Sequence, residues 1–229
     1  MMVEVSVRVS GAVVAERPVS LDALLEWSVS RERDLPWLSR GHEIPEPLPI
    51  PVHLVHYPGG VLPLCTQWVP DGAPYRHDWV RRRDGVDVES LARPYNRSYG
   101  PGRDLMLRAY GANVAEARWL LSTNDAGRVG ELLQRVTHLG KLRAHGCGEL
   151  GAAWVVSEAP GATPLRALVD AEGRAARAIP VAALESWDGP VERRAVQAPY
   201  WHPARQVAAV APGTPVVLIP ELRHALEGM

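Results

Sequence analysis

Phenylalanine is absent from this sequence, lysine occurs once, at position 141, and cysteine twice, at positions 65 and 147. Two cysteines are too few for a disulfide scaffold or a cysteine-rich zinc site, so both read as buried or idle thiols. No run reaches the roughly 18 apolar residues that a membrane-spanning helix needs, and no charged-then-apolar leader precedes a cleavage site. The expected location is the cytoplasm, away from membranes. With no phenylalanine, the eight tryptophans must carry much of the aromatic packing.

What remains has the composition of a soluble globular chain, 46% hydrophobic and 22% charged over 229 residues, enough for one large domain or two small ones. A formal net charge of −1 excludes indiscriminate coating of nucleic acid but leaves room for a local basic groove. Nearly all the positive charge is arginine. That suits bidentate and stacking contacts with RNA, and it equally follows from a GC-rich genome.

Val3, Val5, Val7 and Val9 alternate with polar residues, the period of a half-buried strand. A helix is expected over 20–30, capped by Ser20, with Leu21, Leu24 and Leu25 inward and Asp22 and Glu26 on a face that is commonly exposed. The segment 31–51 reads as loop. Pro58-Gly59-Gly60 separates two strand-like runs, 51–57 and 61–68, and predicts a β-hairpin. The segment 68–104 is polar and turn-rich, with strands to follow at 105–109 and 115–121. An amphipathic helix is expected over 125–139, N-capped by Asn124 or Asp125, with Val129, Leu132, Leu133, Val136 and Leu139 forming its apolar stripe. Gly140 falls where its left-handed C-cap belongs, and an apolar strand is expected over 150–156. Beyond 157 come a weak element at 165–169, a possible strand at 176–181, a polar stretch at 187–201 and an apolar run at 216–219, expected to pack on the sheet.

This order outlines an α/β (α+β) fold, a ferredoxin-like or RRM-like βαββαβ core over about 1–157. A long insertion occupies about 68–104, and a C-terminal extension about 158–229, within one elaborated domain.

The chemistry-bearing stretch is 140–156, GKLRAHGCGELGAAWVV. Lys141 and Arg143 can neutralise phosphates, His145 can stack or hydrogen-bond, and Gly146 and Gly148 remove bulk so that freed N–H groups can approach a sugar or base. The same residues also fit a plain helix-to-strand turn with solvated cations. A second basic run, Arg76 and Arg81 to Arg83, stands beside Tyr75 and Trp79, a composition that can clamp a single strand; Tyr95 and Arg97 belong to the same patch. Internal ion pairs with Asp78, Asp84 and Asp87 are its bland alternative.

Catalytic and metal constellations are thin. His53 and His56 point to opposite faces of an expected strand, His138 and His145 straddle a glycine, and His77, His202 and His224 have no spaced partners. There is no nucleophile elbow and no Walker lysine. No cofactor and no metal site are expected.

The pattern Leu139-Gly140-Lys141-x-Arg143-x-x-Gly146-x-Gly148-x-Leu150, after a helix and before a strand with Trp154, resembles the G-rich loop of the CRISPR-associated RAMP proteins. Within that superfamily it is most similar to the type IV subunit of the fifth Cas family. Weaker echoes are Leu21 to Leu25, Arg93 to Tyr99, and Ala198-Pro199-Tyr200-Trp201. The resemblance implies a non-catalytic subunit of an antiviral ribonucleoprotein. Such a subunit binds the 5′ handle of the guide RNA, caps the filament of backbone subunits, meets a large subunit and reaches target DNA only through the complex. Some RAMP relatives cleave precursor RNA without metal, and here His145, Tyr95 and Lys141 are the plausible performers. An orphan small-molecule enzyme or regulatory module is the third class.

Overall fold

A computed structural model describes residues 1–15, 17–35, 47–81, 105–200 and 202–229, with backbone only at 77–81 and 105–108. The chain opens with β1 (Met2–Arg8), β2 (Ala12–Val13), β3 (Val19–Ser20) and helix α1 (Leu21–Glu32). Short strands follow at β4 (Leu54–Tyr57), β5 (Gly60–Pro63) and β6 (Gln67–Trp68), then the longer β7 (Ala73–Arg81) and β8 (Leu105–Asn113). Next come β9 (Glu116–Ser122), helix α2 (Ala126–Leu133) and β10 (Val155–Glu158). The last third holds β11 (Ile179–Pro180), β12 (Leu184–Trp187), β13 (Val191–Ala195), β14 (Gln206–Val210), β15 (Val216–Leu218) and helix α3 (Pro220–Glu227). The described residues thus form a mixed α and β protein of small antiparallel sheets with three α-helices. None of these helices is long and apolar enough to cross a membrane.

The first core lies between one sheet and two helices. β1 is central, antiparallel to β10 on one edge and to β9 on the other. Val3, Val5 and Val7 of β1 are buried, as their alternation requires, and they pack with Trp119 and Leu121 of β9, Leu21, Leu25 and Val29 of α1, and Val129, Leu132 and Leu133 of α2. Each such side chain contributes about 1.5–3 kcal/mol by leaving water. Tryptophan takes the place of the missing phenylalanine. Trp119 is 1% exposed, donates its indole N–H to Val19 O at 2.9 Å, and lies between Trp68 and Trp154, with ring centroids 5.8 and 5.6 Å away. On the free edge of β9, Cys65 bridges Leu121, and Thr66 and Leu64 exchange main-chain hydrogen bonds with Leu120 and Ser122.

Helix α2 stops well short of the expected 139. Asp125 is the cap, its carboxylate accepting from Arg128 N at 2.8 Å, but the helix ends at Leu133. The reason is competition for backbone partners. Leu139 N donates to Gly148 O at 2.8 Å and Leu150 N to Thr137 O at 3.1 Å, so this segment is drawn into a ladder. Val136 and Leu139 remain buried, because the apolar stripe continues into that ladder. Correspondingly, the strand expected at 150–156 is shorter and later: Leu150 makes a single bridge to Val9, and β10 begins at Val155.

The hairpin around Pro58-Gly59-Gly60 forms as β4 and β5. The polar stretch after Trp68 is not wholly loop, since β7 pairs with β8 over nine residues in a long antiparallel ribbon. Residues 82–104, between β7 and β8 in sequence, fall outside the described residues, as do 36–46 of the expected loop.

The C-terminal third builds a second core of its own in place of a simple cover for the sheet. Ala167, Leu168, Ile179, Val210, Leu218, Leu222 and Leu226 pack with Met2, Val55, Leu62 and Leu64 from the first half. The element at 165–169 is a 3₁₀ turn (Pro164–Ala167), and the polar stretch from 187 contains β13, paired with β14.

Candidate nucleic-acid interface

The G-rich loop hangs on residues 12–14. Gly148 N donates to Ala12 O, and Lys141 N to Val14 O, both at 2.8 Å. On its other side the same segment pairs with β8, Ala12 opposite Asn113 and Val13 opposite Ala112. Loop, β2, β8 and β7 therefore form one continuous main-chain hydrogen-bonded connection. Tyr75 of β7 closes it from the opposite end, its hydroxyl meeting the thiol of Cys147; burial and that thiol together push the Tyr75 pKa up. The root of the ribbon and the G-rich loop are thus neighbours, although more than sixty residues separate them in sequence.

Within the loop the glycines have different jobs. Gly140 (φ +76°) lies so close to residue 14 that a Cβ would stand 2.4 Å from Val14 O. Gly148 (φ +70°) is buried, and a Cβ there would stand 1.8 Å from Leu139 O. It serves the loop's own packing and offers no surface to a ligand. Gly146 (φ +74°) is exposed, with nothing within 4 Å of the Cβ position. Leu142 also holds a left-handed φ of 63°, a conformation that costs a non-glycine residue about 1–2 kcal/mol. A 3₁₀ turn, Arg143–His145, connects it to Gly146.

The expectation of freed N–H groups is corrected. The main-chain amides of Lys141, His145, Gly146, Cys147 and Gly148 all donate within the protein. What the loop presents outward is side chains: Lys141, Arg143 and His145 are exposed, while Cys147 is buried beneath them. The loop's outward surface thus carries two cations and an imidazole.

Of the second basic patch, Arg76 is exposed on β7 and Arg81 ends that strand, its side chain not described. Arg82, Arg83, Tyr95 and Arg97 lie outside the described residues. Among the described residues, no three His, Cys, Asp or Glu side chains gather as a metal set. His53 Nδ1 stands 2.9 Å from Ser122 Oγ, His56 is exposed, and His138 Nδ1 is 3.0 Å from Thr137 Oγ1.

Sequence reasoning missed a buried polar cluster. Asp22, expected on an exposed face, is 1% exposed. Its carboxylate accepts from Tyr200 Oη at 2.8 Å and lies 3.5 Å from Cys65 Sγ. The Tyr200 hydroxyl accepts from the fully buried Arg177 guanidinium at 2.9 Å, which also donates to the carbonyls of Pro63, Cys65 and Val196. Burial opposes the Arg177 charge, but Tyr200, Cys65 and Asp22 outweigh it and hold its pKa above the ordinary guanidinium value. Burial foremost, then the Asp22 charge, pushes the Cys65 thiol up, so it is no ready nucleophile. Spacing carried no signal for this cluster, whose members lie on four distant segments. The cluster ties Cys65 of the first core to Val196 of the second, and leaves Arg177 Nε buried without a hydrogen-bond partner.

No protein-family model matches this chain, and no curated protein matches it.

Proposed function

We propose that this chain is a non-catalytic, cytoplasmic subunit of a type IV CRISPR ribonucleoprotein, similar to the fifth Cas family. In this reading it holds the 5′ handle of the guide RNA and docks against backbone and large subunits. The observation that carries it is the continuous connection from the G-rich loop through residues 12–14 to the β7–β8 ribbon. It sets Lys141, Arg143 and His145 beside the root of an arm long enough to reach along a strand. Cations on an exposed, glycine-bounded turn suit the phosphates of a single strand better than a duplex groove. We read the core as ferredoxin-like, for which the order β10-β1-β9, the two helices α1 and α2, and the pairing of 64–66 on the remaining edge of β9 are the support.

The test is purification of the full chain with its operon partners, followed by the 260 to 280 nm absorbance ratio and sequencing of retained RNA. Enrichment of one repeat-derived 5′ end supports the proposal, and a chain that retains and binds no RNA overturns it. Discrete cleavage of repeat RNA in chelator, lost in His145→Ala, would replace the binding role with metal-free processing.

A further inference from the structure

Tyr110 of β8 stands directly opposite Arg76 of β7 in the ribbon register. Side chains in directly paired positions share a face, so both lie on the face away from Tyr75 and Gly111, whose own face closes on residues 13–14 and Cys147. Pro74, two positions before Arg76, is exposed on that same outer face. Tyr110 is 65% exposed, the largest exposure of any tyrosine or tryptophan among the described residues, and it contributes to neither core.

We propose that Tyr110 and Arg76 form a stacking site for one unpaired base of single-stranded RNA. This inference rests on the RNA-binding reading above and adds a residue to it. A phenol ring on a flat ribbon offers a π-face that any base can cover, and a guanidinium across the ladder supplies both a stacking plane and a charge for the adjoining phosphate. The occupant follows from charge: the residue directly across the ladder from the Tyr110 ring is a guanidinium, so an anionic strand, and not an apolar protein face, is its complement. Because Tyr110 packs in no core, its removal leaves the fold intact.

Fluorescent 2-aminopurine, placed in turn at each position of a short single-stranded RNA, reads the stacking directly on the full chain. One position is quenched by the wild-type protein, the quenching is lost in Tyr110→Ala and retained in Tyr110→Phe, and affinity falls about 5- to 150-fold in Tyr110→Ala, the range for one stacked base. Arg76→Ala weakens binding and lowers the salt dependence. If Tyr110→Ala binds and quenches like the wild type while Lys141→Ala/Arg143→Ala loses affinity, the stacking site is wrong and the wider reading stands. If the wild-type protein binds no RNA, both fall together.

Discussion

Tyr200 donates its hydroxyl to the Asp22 carboxylate at 2.8 Å across a sequence separation of 178 residues, and accepts from Arg177 at 2.9 Å. Removing that one oxygen leaves a carboxylate and a guanidinium facing each other without their go-between. Tyr200→Phe is expected to lower stability by about 2–3 kcal/mol and Asp22→Ala by about 3–5 kcal/mol, since each strands a buried charge. Replacing Asp22, Arg177 and Tyr200 together by apolar residues of similar volume should recover most of that loss. Urea midpoints of the wild type and these three variants check it, and a triple variant less stable than either single variant would refute the coupling.

The glycines of the loop separate by the same kind of measurement. Gly148→Ala must push a methyl into the Leu139 carbonyl and is expected to cost more than about 3 kcal/mol, or to abolish folding. Gly146→Ala meets open space, so only the left-handed backbone is penalised, by about 1 kcal/mol. Equal melting temperatures for the two variants would contradict the assigned roles.

Salt dependence tests the cations. Each phosphate held on a single strand contributes about −0.7 to the slope of log affinity against log salt, so Lys141→Ala/Arg143→Ala should flatten that slope by about 1.4. Filter binding at several salt concentrations measures it. A uniform weakening with the slope unchanged would mean that the pair does not contact phosphates.

His53 adds a pH dependence. Burial first, and the nearby N-terminal ammonium second, lower its pKa below that of the unfolded chain. As pH falls through the unfolded value of about 6.5, the unfolded chain takes up a proton that the folded one refuses, and stability declines. His53→Gln should remove that part of the decline between pH 7 and pH 5 in thermal melts, and an unaltered pH profile would show that His53 plays no part.

These residues also mark what could be read from the chain alone. The valines of β1 and the inward leucines of α1 were legible because one-sided burial writes its period into the sequence. The G-rich loop was legible as a turn, and its cations do face outward. The end of α2 was not, because a ladder between 137–139 and 148–150 competes with the helix for the same amides, and that competition leaves the apolar stripe unchanged. Strand β7 was hidden because its described flank is mostly exposed and lacks an apolar alternation. Asp22 was misplaced for a different reason. An aspartate four residues before Glu26 on a helix looks like part of a solvated face, and only Arg177 and Tyr200, arriving from the far end of the chain, make it interior.

Strand β1 is the middle of its sheet, yet its two neighbours are β9 and β10. During synthesis β1 therefore leaves the ribosome with both hydrogen-bonding edges bare: one can pair with β9 only after translation has passed Ser122, and the other with β10 only after Glu158. A nascent chain of this design needs a chaperone or a fast-forming local cover over those valines, and arrest before that point should yield aggregates in place of a partly folded domain.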